Sequence, residues 1–339
     1  MTERSSTDVL VVGGGPAGCS AAIRLAAMGH QVTVLERSSG ESPVARGDLL
    51  VPAAVDELVD LGLNLNALGG NAITGSRLWH GGRSVPVRWP DTRSSQSGGA
   101  VVRRSDLNAA LRKRAVAVGA DVRLGARATA PTVERGFVRG ASIEYRDGSA
   151  SEIGCRFLLV ADGANSRFGR GLGTHRDRRW PYAISASTYV ASERSTDSWI
   201  ETSLGPSDAN GHPVTGHGWV HPVGDGTLNV GVTVLSSYRD VRGVNIVKLL
   251  DSFEGLLERP IIADELEKKQ MSLISAYSKD LHMMQQLFIE RREQPPIPSN
   301  MPPTAGALRW SRGLMERIRQ PMEKLGWSTL PSNHSLSLV

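Results

Sequence analysis

The stretch TDVLVVGGGPAGCSAAIRLAAMGHQVTVLER, residues 7–37, carries the strongest structural signal in the chain. It predicts a short apolar strand, a glycine turn, a helix rich in small residues and a second strand. Gly13, Gly15 and Gly18 have the spacing G-x-G-x-x-G. The first glycine permits a tight turn, the second lets the backbone approach a pyrophosphate, and the third lets the helix pack close to the strand. The stretch therefore predicts a βαβ unit that binds a dinucleotide.

Glu36 ends the second predicted strand, eighteen positions after Gly18. A carboxylate at this place can accept hydrogen bonds from both hydroxyl groups of an adenosine ribose. The helix N-terminus adds free N–H groups and the positive end of a dipole for the phosphates. Because strand, helix, second strand and acid occur in register, dinucleotide binding is favoured over the alternative of a glycine turn in an ordinary βαβ unit.

A second motif is CRFLLVADGANSRFGRGLG, residues 155–173, in which an apolar strand runs into Asp162 and Gly163. By itself this Asp-Gly pair indicates only a turn. Four stretches together carry a resemblance to a known family. They are this motif, the glycine-turn motif, RRSDLNAALRKRAVAVGADV (103–122) and GHGWVHPVGDGTLNVGVTVLS (216–236). Over roughly residues 7–250 the chain resembles FAD-dependent oxidoreductases related to aromatic hydroxylases, and within them the geranylgeranyl reductase family. That family includes actinobacterial enzymes that saturate a menaquinone side chain.

The resemblance implies an FAD site and a reaction. It implies reduction of the flavin by NADPH or another external donor, then hydride transfer to a carbon–carbon double bond of an isoprenoid or prenylated quinone. No residue can be assigned as the proton donor, so the catalytic residues stay unknown. The cofactor-binding residues that it implies, together with those of the glycine turn and second strand, are Gly13, Gly15, Gly18, Glu36, Arg37, Arg104, Asp162 and Gly163.

The substrate motif of that family is aromatic-x-Trp-x-Phe-Pro, and it reads HGWVHP here. Trp219 and Pro222 match, whereas His217 and His221 stand where Tyr and Phe are usual. The resemblance implies that these four residues contact the substrate. In the family a cysteine often precedes a Gly-Asp pair, but here Arg46 stands before Gly47 and Asp48. A cysteine-dependent step of the family therefore cannot be assigned to this chain.

A second sheet is indicated by stretches that alternate or run apolar, among them LWHGGRSVPVRWP, ISASTYVASE and TLNVGVTVL. We expect an α/β fold in which a Rossmann-type FAD-binding domain, 1–180, contributes strands near 76–90 to a mostly antiparallel substrate sheet completed by 181–250. The tryptophans of that sheet form either a wall for an apolar chain or a plain aromatic core.

Residues 251–325 predict a helical tail. An apolar stripe runs from Ile262 to Phe288, a proline-rich break PPIPSNMPP follows, and a second helix is predicted near 306–325. The stretch from Leu256 to Leu325 resembles part of the N-terminal tail of an axonemal dynein heavy chain. That resemblance implies a helical assembly segment without the motor. Residues 326–339 are predicted to be disordered.

The composition changes where the two resemblances meet. Residues 1–253 hold 26 Arg and 2 Lys, and the rest of the chain holds 7 Arg and 4 Lys. We therefore interpret the chain as a chimera joined within 245–255. No Gly-Asp pair follows Leu250, where the flavoprotein family has its third FAD motif, so we expect a truncated and impaired reductase. The apolar tail is expected to dock loosely and to self-associate.

The remaining composition excludes several classes. The net charge of +5 is spread along the chain and does not favour nucleic-acid binding. Cys19 and Cys155 indicate buried thiols, and His212, His217 and His221 lack the spacing of a metal site. No segment is apolar enough to span a bilayer and no signal peptide is apparent, so we expect a cytoplasmic protein with peripheral membrane contact through a lipid substrate.

Two alternatives stay open. The chain is a non-catalytic chimera whose tail is an interaction segment, or it is an FAD-dependent monooxygenase of the aromatic hydroxylase type. A flavin spectrum separates the first alternative from an enzyme, and a hydroxylated product identifies the second.

Overall fold

The computed structural model describes residues 4–40, 48–80, 83–89, 98–175, 182–207, 211–238, 241–254 and 270–274. The strands are β1 (Arg4–Val12), β2 (Val32–Glu36), β3 (Leu49–Leu50), β4 (Asn71–Ile73), β5 (Gly75–His80), β6 (Arg83–Arg88), β7 (Gly99–Val101), β8 (Asp121–Leu124), β9 (Ala126–Glu134), β10 (Phe137–Tyr145), β11 (Ala150–Val160), β12 (Ala183–Ala191), β13 (Trp199–Leu204), β14 (Gly216–Pro222), β15 (Thr227–Leu235) and β16 (Gln270–Ile274). The helices are α1 (Pro16–Ala27), α2 (Pro52–Asp60), α3 (Arg104–Ala117), α4 (Phe168–Gly171) and α5 (Ile246–Glu254), with 3-10 turns at Asn66–Leu68 and Glu193–Thr196. The chain divides into two compact units, residues 1–70 with 102–179 and residues 71–101 with 180–339.

The first unit is built on a six-stranded sheet in the order β8-β2-β1-β11-β10-β9. The pairs among β8, β2, β1 and β11 are parallel, and the pairs of β11 with β10 and of β10 with β9 are antiparallel. Val9 lies opposite Val32 on one side and Phe157 on the other. The near-continuous apolar runs of β1 and β2 are typical of strands that are covered on both faces. Their carboxyl ends place the glycine turn and Glu36 at one edge of the sheet.

The second unit is built on a seven-stranded sheet in the order β16-β12-β15-β14-β13-β5-β6. Its pairs are antiparallel except β13 with β5. Alternation gives the sheet two different faces. One carries the valines of β15 and packs against α5, and the other carries polar and aromatic side chains from β12, β14 and β15.

Helix α5 belongs to the core of this second unit. The side chain of Asn245 accepts hydrogen bonds from the backbone N–H groups of Val247 and Lys248, both at 3.1 Å, and so caps the helix. Phe253 is buried against Gly218, where a Cβ would overlap its ring. The start of the predicted helical tail is therefore a helix, although it begins at Ile246, five residues before the predicted start.

Residues 270–274 differ from the prediction, because they form strand β16 and not a helix. This strand pairs antiparallel with β12, from Ala183 opposite Ile274 to Ser187 opposite Gln270. The outer edge of β12 offers unpaired backbone N–H and C=O groups, and pairing with them outweighs the local helical periodicity. Residues 255–269 and 275–339, with the other predicted tail helices and the predicted disordered end, lie outside the described residues.

The α/β class is confirmed, and the second sheet is mostly antiparallel as expected. Within the described ranges, no helix is long and apolar enough to cross a membrane.

Candidate functional site

Of the three glycines in the G-x-G-x-x-G spacing, Gly15 is open and Gly13 and Gly18 are closed. Gly13 has φ +109°, and a Cβ there would overlap the carbonyl oxygen of Ala161. A Cβ on Gly18 would overlap the carbonyl oxygen of Gly13. A Cβ on Gly15 would meet no atom within 4 Å, and Gly15 caps α1 without a side-chain bond to the helix. Space for a phosphate is thus available at Gly15, in front of the free N–H groups of α1.

Glu36 is held rigidly at the end of β2. Its Oε2 accepts a hydrogen bond from the backbone N–H of Gly14 at 2.8 Å, and its Oε1 accepts one from Ser38, also at 2.8 Å. Each carboxylate oxygen can accept a second hydrogen bond, so the group is positioned for two ribose hydroxyls. The neighbouring Arg37 is exposed.

Asp162 lies beside the glycine turn. A Cβ on Gly13 would approach the Asp162 Cα to 2.9 Å. The Oδ2 of Asp162 accepts hydrogen bonds from the backbone N–H groups of Arg167 at 3.2 Å and Phe168 at 3.3 Å. Its Oδ1 is buried and has no hydrogen-bond partner among the described residues. A buried carboxylate oxygen in this state requires a donor from a ligand or from water. Gly163 follows in a left-handed conformation, with φ +91°.

Arg104 begins α3, and its position depends on a residue to which the sequence analysis gives no role. The carboxylate of Asp48 accepts a hydrogen bond from the backbone N–H of Arg104 at 3.0 Å, and the carbonyl of Asp48 accepts one from Val102 at 3.0 Å. Asp48 is only 2% exposed. Because Arg103, the N-cap residue of α3, makes no side-chain cap, Asp48 caps the helix from a distant part of the chain.

Cys19 supports the glycine turn. Its thiol donates a hydrogen bond to the carbonyl of Gly14 at 3.3 Å. Burial raises the pKa of Cys19 to about 11, so the thiol stays protonated and can keep donating. Both cysteines are buried and free, as predicted.

These residues fit an FAD molecule. The open position at Gly15 fits the pyrophosphate, and the two oxygens of Glu36 fit the ribose. The buried Oδ1 of Asp162 lacks the donor that a hydroxyl of the ribityl chain would supply. The structure therefore brings Gly13, Glu36 and Asp162 to the same edge of one sheet.

Three of the four predicted substrate residues lie on the polar face of the second sheet, whereas Pro222 lies opposite Leu228 on the apolar face. His217, Trp219 and His221 alternate along β14 and therefore share that face. The centroid of the Trp219 ring lies 5.8 Å from that of His217 and 6.0 Å from that of His221, and the second pair is stacked at 26°. On β15, a Cβ at Gly231 would overlap the Trp219 ring, so the indole lies across the sheet. Pro222 is buried and ends the strand; its carbonyl accepts a hydrogen bond from the Asn71 side chain at 3.1 Å.

Burial keeps both histidines neutral. It lowers the pKa of His217 to about 4. Burial, with a smaller contribution from the charge of His217, lowers the pKa of His221 to about 3. Neither imidazole can act as an acid at neutral pH. The structure thus gives no proton donor from this pair.

Asn229 fixes the orientation of Trp219, and sequence reasoning assigns it no role. The Nε1 of Trp219 donates a hydrogen bond to the Oδ1 of Asn229 at 2.8 Å, in a fully buried contact. The signal was a polar residue in the middle of the apolar run TLNVGVTVL. In the described parts of the chain, no group of three or more His, Cys, Asp or Glu side chains could hold a metal ion.

Two family models match the chain. The FAD binding domain matches residues 6–239, and the Dynein heavy chain, N-terminal region 1, matches residues 232–336. Menaquinone reductase from Mycobacterium tuberculosis (strain ATCC 25618 / H37Rv) is 38% identical over 256 residues, which are 76% of this chain and 62% of the relative. The chain therefore spans less than two thirds of the length of this relative.

The tail and the fold have their own matches. The dynein beta chain of the flagellar outer arm from Chlamydomonas reinhardtii is 50% identical over 78 residues, 23% of this chain and 2% of that protein. A geranylgeranyl bacteriochlorophyll reductase-like protein from Thermoplasma acidophilum has a similar fold, with a TM-score of 0.66 at 24% identity, over 80% of this chain and 67% of that one. With the glycine turn, Glu36 and Asp162 placed as described, and the match over residues 6–239, the chain belongs to the FAD binding domain family.

Proposed function

We propose that this chain is the flavin-binding part of an FAD-dependent reductase that saturates a carbon–carbon double bond of an isoprenoid chain, as found on a prenylated quinone. The observation that carries the proposal is the 38% identity over 256 residues to menaquinone reductase. NADPH or another external reductant would supply the electrons. The lipid substrate would bring a cytoplasmic enzyme into peripheral contact with a membrane.

The FAD-site residues of the first unit each have a defined task in this proposal. Glu36 orients the adenosine ribose, because two backbone N–H groups fix its carboxylate. The N-terminus of α1 binds the pyrophosphate at Gly15. Asp162 accepts a hydrogen bond from the ribityl chain through its Oδ1, and Asp48 positions the start of α3 at Arg104. When bound, FAD supplies the hydride chemistry.

The polar face of the second sheet would bind the substrate. Trp219 offers a flat apolar surface to an isoprenoid chain, and its hydrogen bond to Asn229 keeps the ring in one orientation. Neutral imidazoles on both sides extend this surface without adding charge, so an apolar chain is not repelled.

The test is reconstitution. The purified full chain is incubated with FAD, freed of excess cofactor and examined for a flavin spectrum. It is then supplied with NADPH or with dithionite and menaquinone, and the addition of hydrogen to the side chain is measured by mass spectrometry. Retained flavin and a saturated product support the proposal. A chain that retains FAD but hydroxylates an aromatic compound instead would overturn it. The impaired turnover expected from the missing Gly-Asp pair stays a prediction, and the rate in this assay measures it.

A second function is favoured by the 50% identity to the dynein beta chain over 78 residues. We infer that this segment is a scaffold that contacts other helical chains and takes no part in the flavin chemistry. A chain that ends at Glu254 is the test. This function would be favoured over the reductase if the full chain binds a helical partner, the chain that ends at Glu254 does not, and neither chain retains flavin.

A further inference from the structure

Strand β11 has an open edge along residues 155–160. On one side the strand pairs with β1, from Arg4 opposite Glu152 to Val12 opposite Val160. On the other side it pairs with β10, but this pairing ends where Gly140 lies opposite Gly154. Among the described residues, no strand pairs with that side of residues 155–160. The backbone N–H and C=O groups on that side are therefore available to another strand.

The side chains beside this edge are apolar and exposed. Phe157 is 65% exposed and Leu159 is 38% exposed. The two alternate along the strand and share one face of the sheet, whereas Leu158 and Val160 pack against the core on the other face. A groove of about 350 Å³ is lined by Phe157, Leu159 and Leu25 of α1. Exposed apolar side chains that cluster in this way are typical of an interaction site.

Three outer strands of the two large sheets are protected against pairing with another chain. Strand β6 contains Pro86 and β9 contains Pro131, and proline has no N–H group to donate. Strand β8 has only four residues, two of which are charged. Residues 155–160 read CRFLLV, without proline, and their one charge, on Arg156, is paired with Asp8 at 3.2 Å. The edge of β11 therefore lacks the features that prevent such pairing.

This edge is complementary to itself. Antiparallel pairing of the edge with its own copy, about a two-fold axis at Leu158, places Phe157 of each copy opposite Leu159 of the other. Opposite residues of antiparallel strands share a face, so these apolar side chains can pack together. Arg156 lies opposite Val160, and the two guanidinium groups do not face each other. Each copy uses its edge once, so the association closes as a dimer and does not grow into a fibre.

We propose that residues 155–160 form a dimer interface with the same residues of a second copy of this chain. The surface is small for a protein interface, so we expect a weak dimer in exchange with the monomer. The proposal does not depend on the proposed reductase activity, because it uses only the backbone and the apolar side chains of β11.

The first experiment is sedimentation velocity of the full chain over a range of concentrations. Phe157→Lys places a charge inside the interface, and we expect it to raise the dimer dissociation constant about tenfold or more. Phe157 is exposed in the single chain, so this variant should keep its melting temperature. Leu124→Lys is the matched control, because Leu124 is an exposed apolar residue at the opposite edge of the same sheet. It should leave the dissociation constant unchanged.

The second experiment tests the register by cross-linking. Full chains with Phe157→Cys and with Leu159→Cys, carrying tags of different mass, are mixed and oxidised. Opposite positions on paired strands are close enough for a disulfide, so the heterodimer should form in preference to either homodimer. The unchanged chain is the control, because its own Cys19 and Cys155 are buried.

Equal association of Phe157→Lys, Leu124→Lys and the unchanged chain would overturn the proposal, since another surface would then hold the copies together. An unchanged chain that stays monomeric at every concentration would also overturn it, as would an oxidised mixture without the heterodimer. If Phe157→Lys lowers the melting temperature, the cross-linking result decides.

Discussion

The Nε1 of Trp219 and the Oδ1 of Asn229 form a buried hydrogen bond of 2.8 Å that runs diagonally between two strands. The residue directly opposite Trp219 is Gly231, and the residue opposite Asn229 is His221. The glycine leaves room for the indole to lie on the sheet, and the amide holds the indole at its polar end. Three positions on two strands thus determine the orientation of one aromatic ring.

Replacing Gly231 with alanine should dislodge that ring, because the new Cβ would overlap it. Overpacking of this kind costs about 1–3 kcal/mol, and we expect the free energy of unfolding in urea to fall by that amount. Gly154→Ala is the matched control on another strand, since its Cβ would have no neighbour closer than 3.8 Å. Equal stability of the two variants would contradict the placement of Trp219.

Replacing Glu36 with alanine should weaken binding of ADP and FAD. A lost hydrogen bond to a charged group costs about 1.5–3 kcal/mol, which corresponds to roughly a ten- to hundredfold higher dissociation constant by calorimetry. Glu57→Ala serves as the control, because that carboxylate only pairs with exposed Arg24. An unchanged dissociation constant in Glu36→Ala would refute the ribose assignment.

Gly15 and Gly18 should respond differently to alanine. A Cβ at Gly15 fits the folded chain, so Gly15→Ala should keep the melting temperature but lose ADP affinity, because the methyl group occupies the space of the phosphate. A Cβ at Gly18 would overlap the Gly13 carbonyl, so Gly18→Ala should lower the melting temperature itself. Normal ADP binding by Gly15→Ala would show that the phosphate lies elsewhere.

His217 and His221 should make stability depend on pH. Their pKa values are lowered in the folded chain, to about 4 and about 3, so the unfolded chain binds more protons below its own value of about 6.5. Stability is therefore complete above pH 6.5 and falls as the pH drops toward 4. Each histidine contributes up to about 1.4 kcal/mol per pH unit in that window. Urea unfolding at pH 7 and pH 5 measures the loss, which should be smaller in a His217→Phe, His221→Phe double variant. A double variant with the same pH dependence as the unchanged chain would show that other groups cause the effect.

The edge of β12 should be protected by β16. Hydrogen exchange of a peptide that covers Ala183–Ala191 should be faster in a chain that ends at Glu254 than in one that ends at Ile274, because pairing with β16 covers backbone groups of Ala183–Ser187. A peptide from β15, which is paired on both sides, should exchange equally in both chains. Identical exchange of β12 in the two chains would mean that β16 does not hold this edge.

The amino-acid order was enough to predict the βαβ unit, the glycine turn and the place of Glu36, since these follow from turn chemistry and from periodicity over a few dozen neighbouring residues. It also indicated a second sheet, because stretches such as TLNVGVTVL alternate or run apolar as strands do. The folded chain was needed to show that the Asp162 backbone lies against Gly13, and that Asp48 caps a helix 56 residues away. The folded chain likewise shows that residues 270–274, which have helical periodicity, pair as a strand with β12. The reason is the same in each case: a buried acceptor or an open sheet edge is satisfied by whichever group the fold brings to it, and no local pattern encodes that partner.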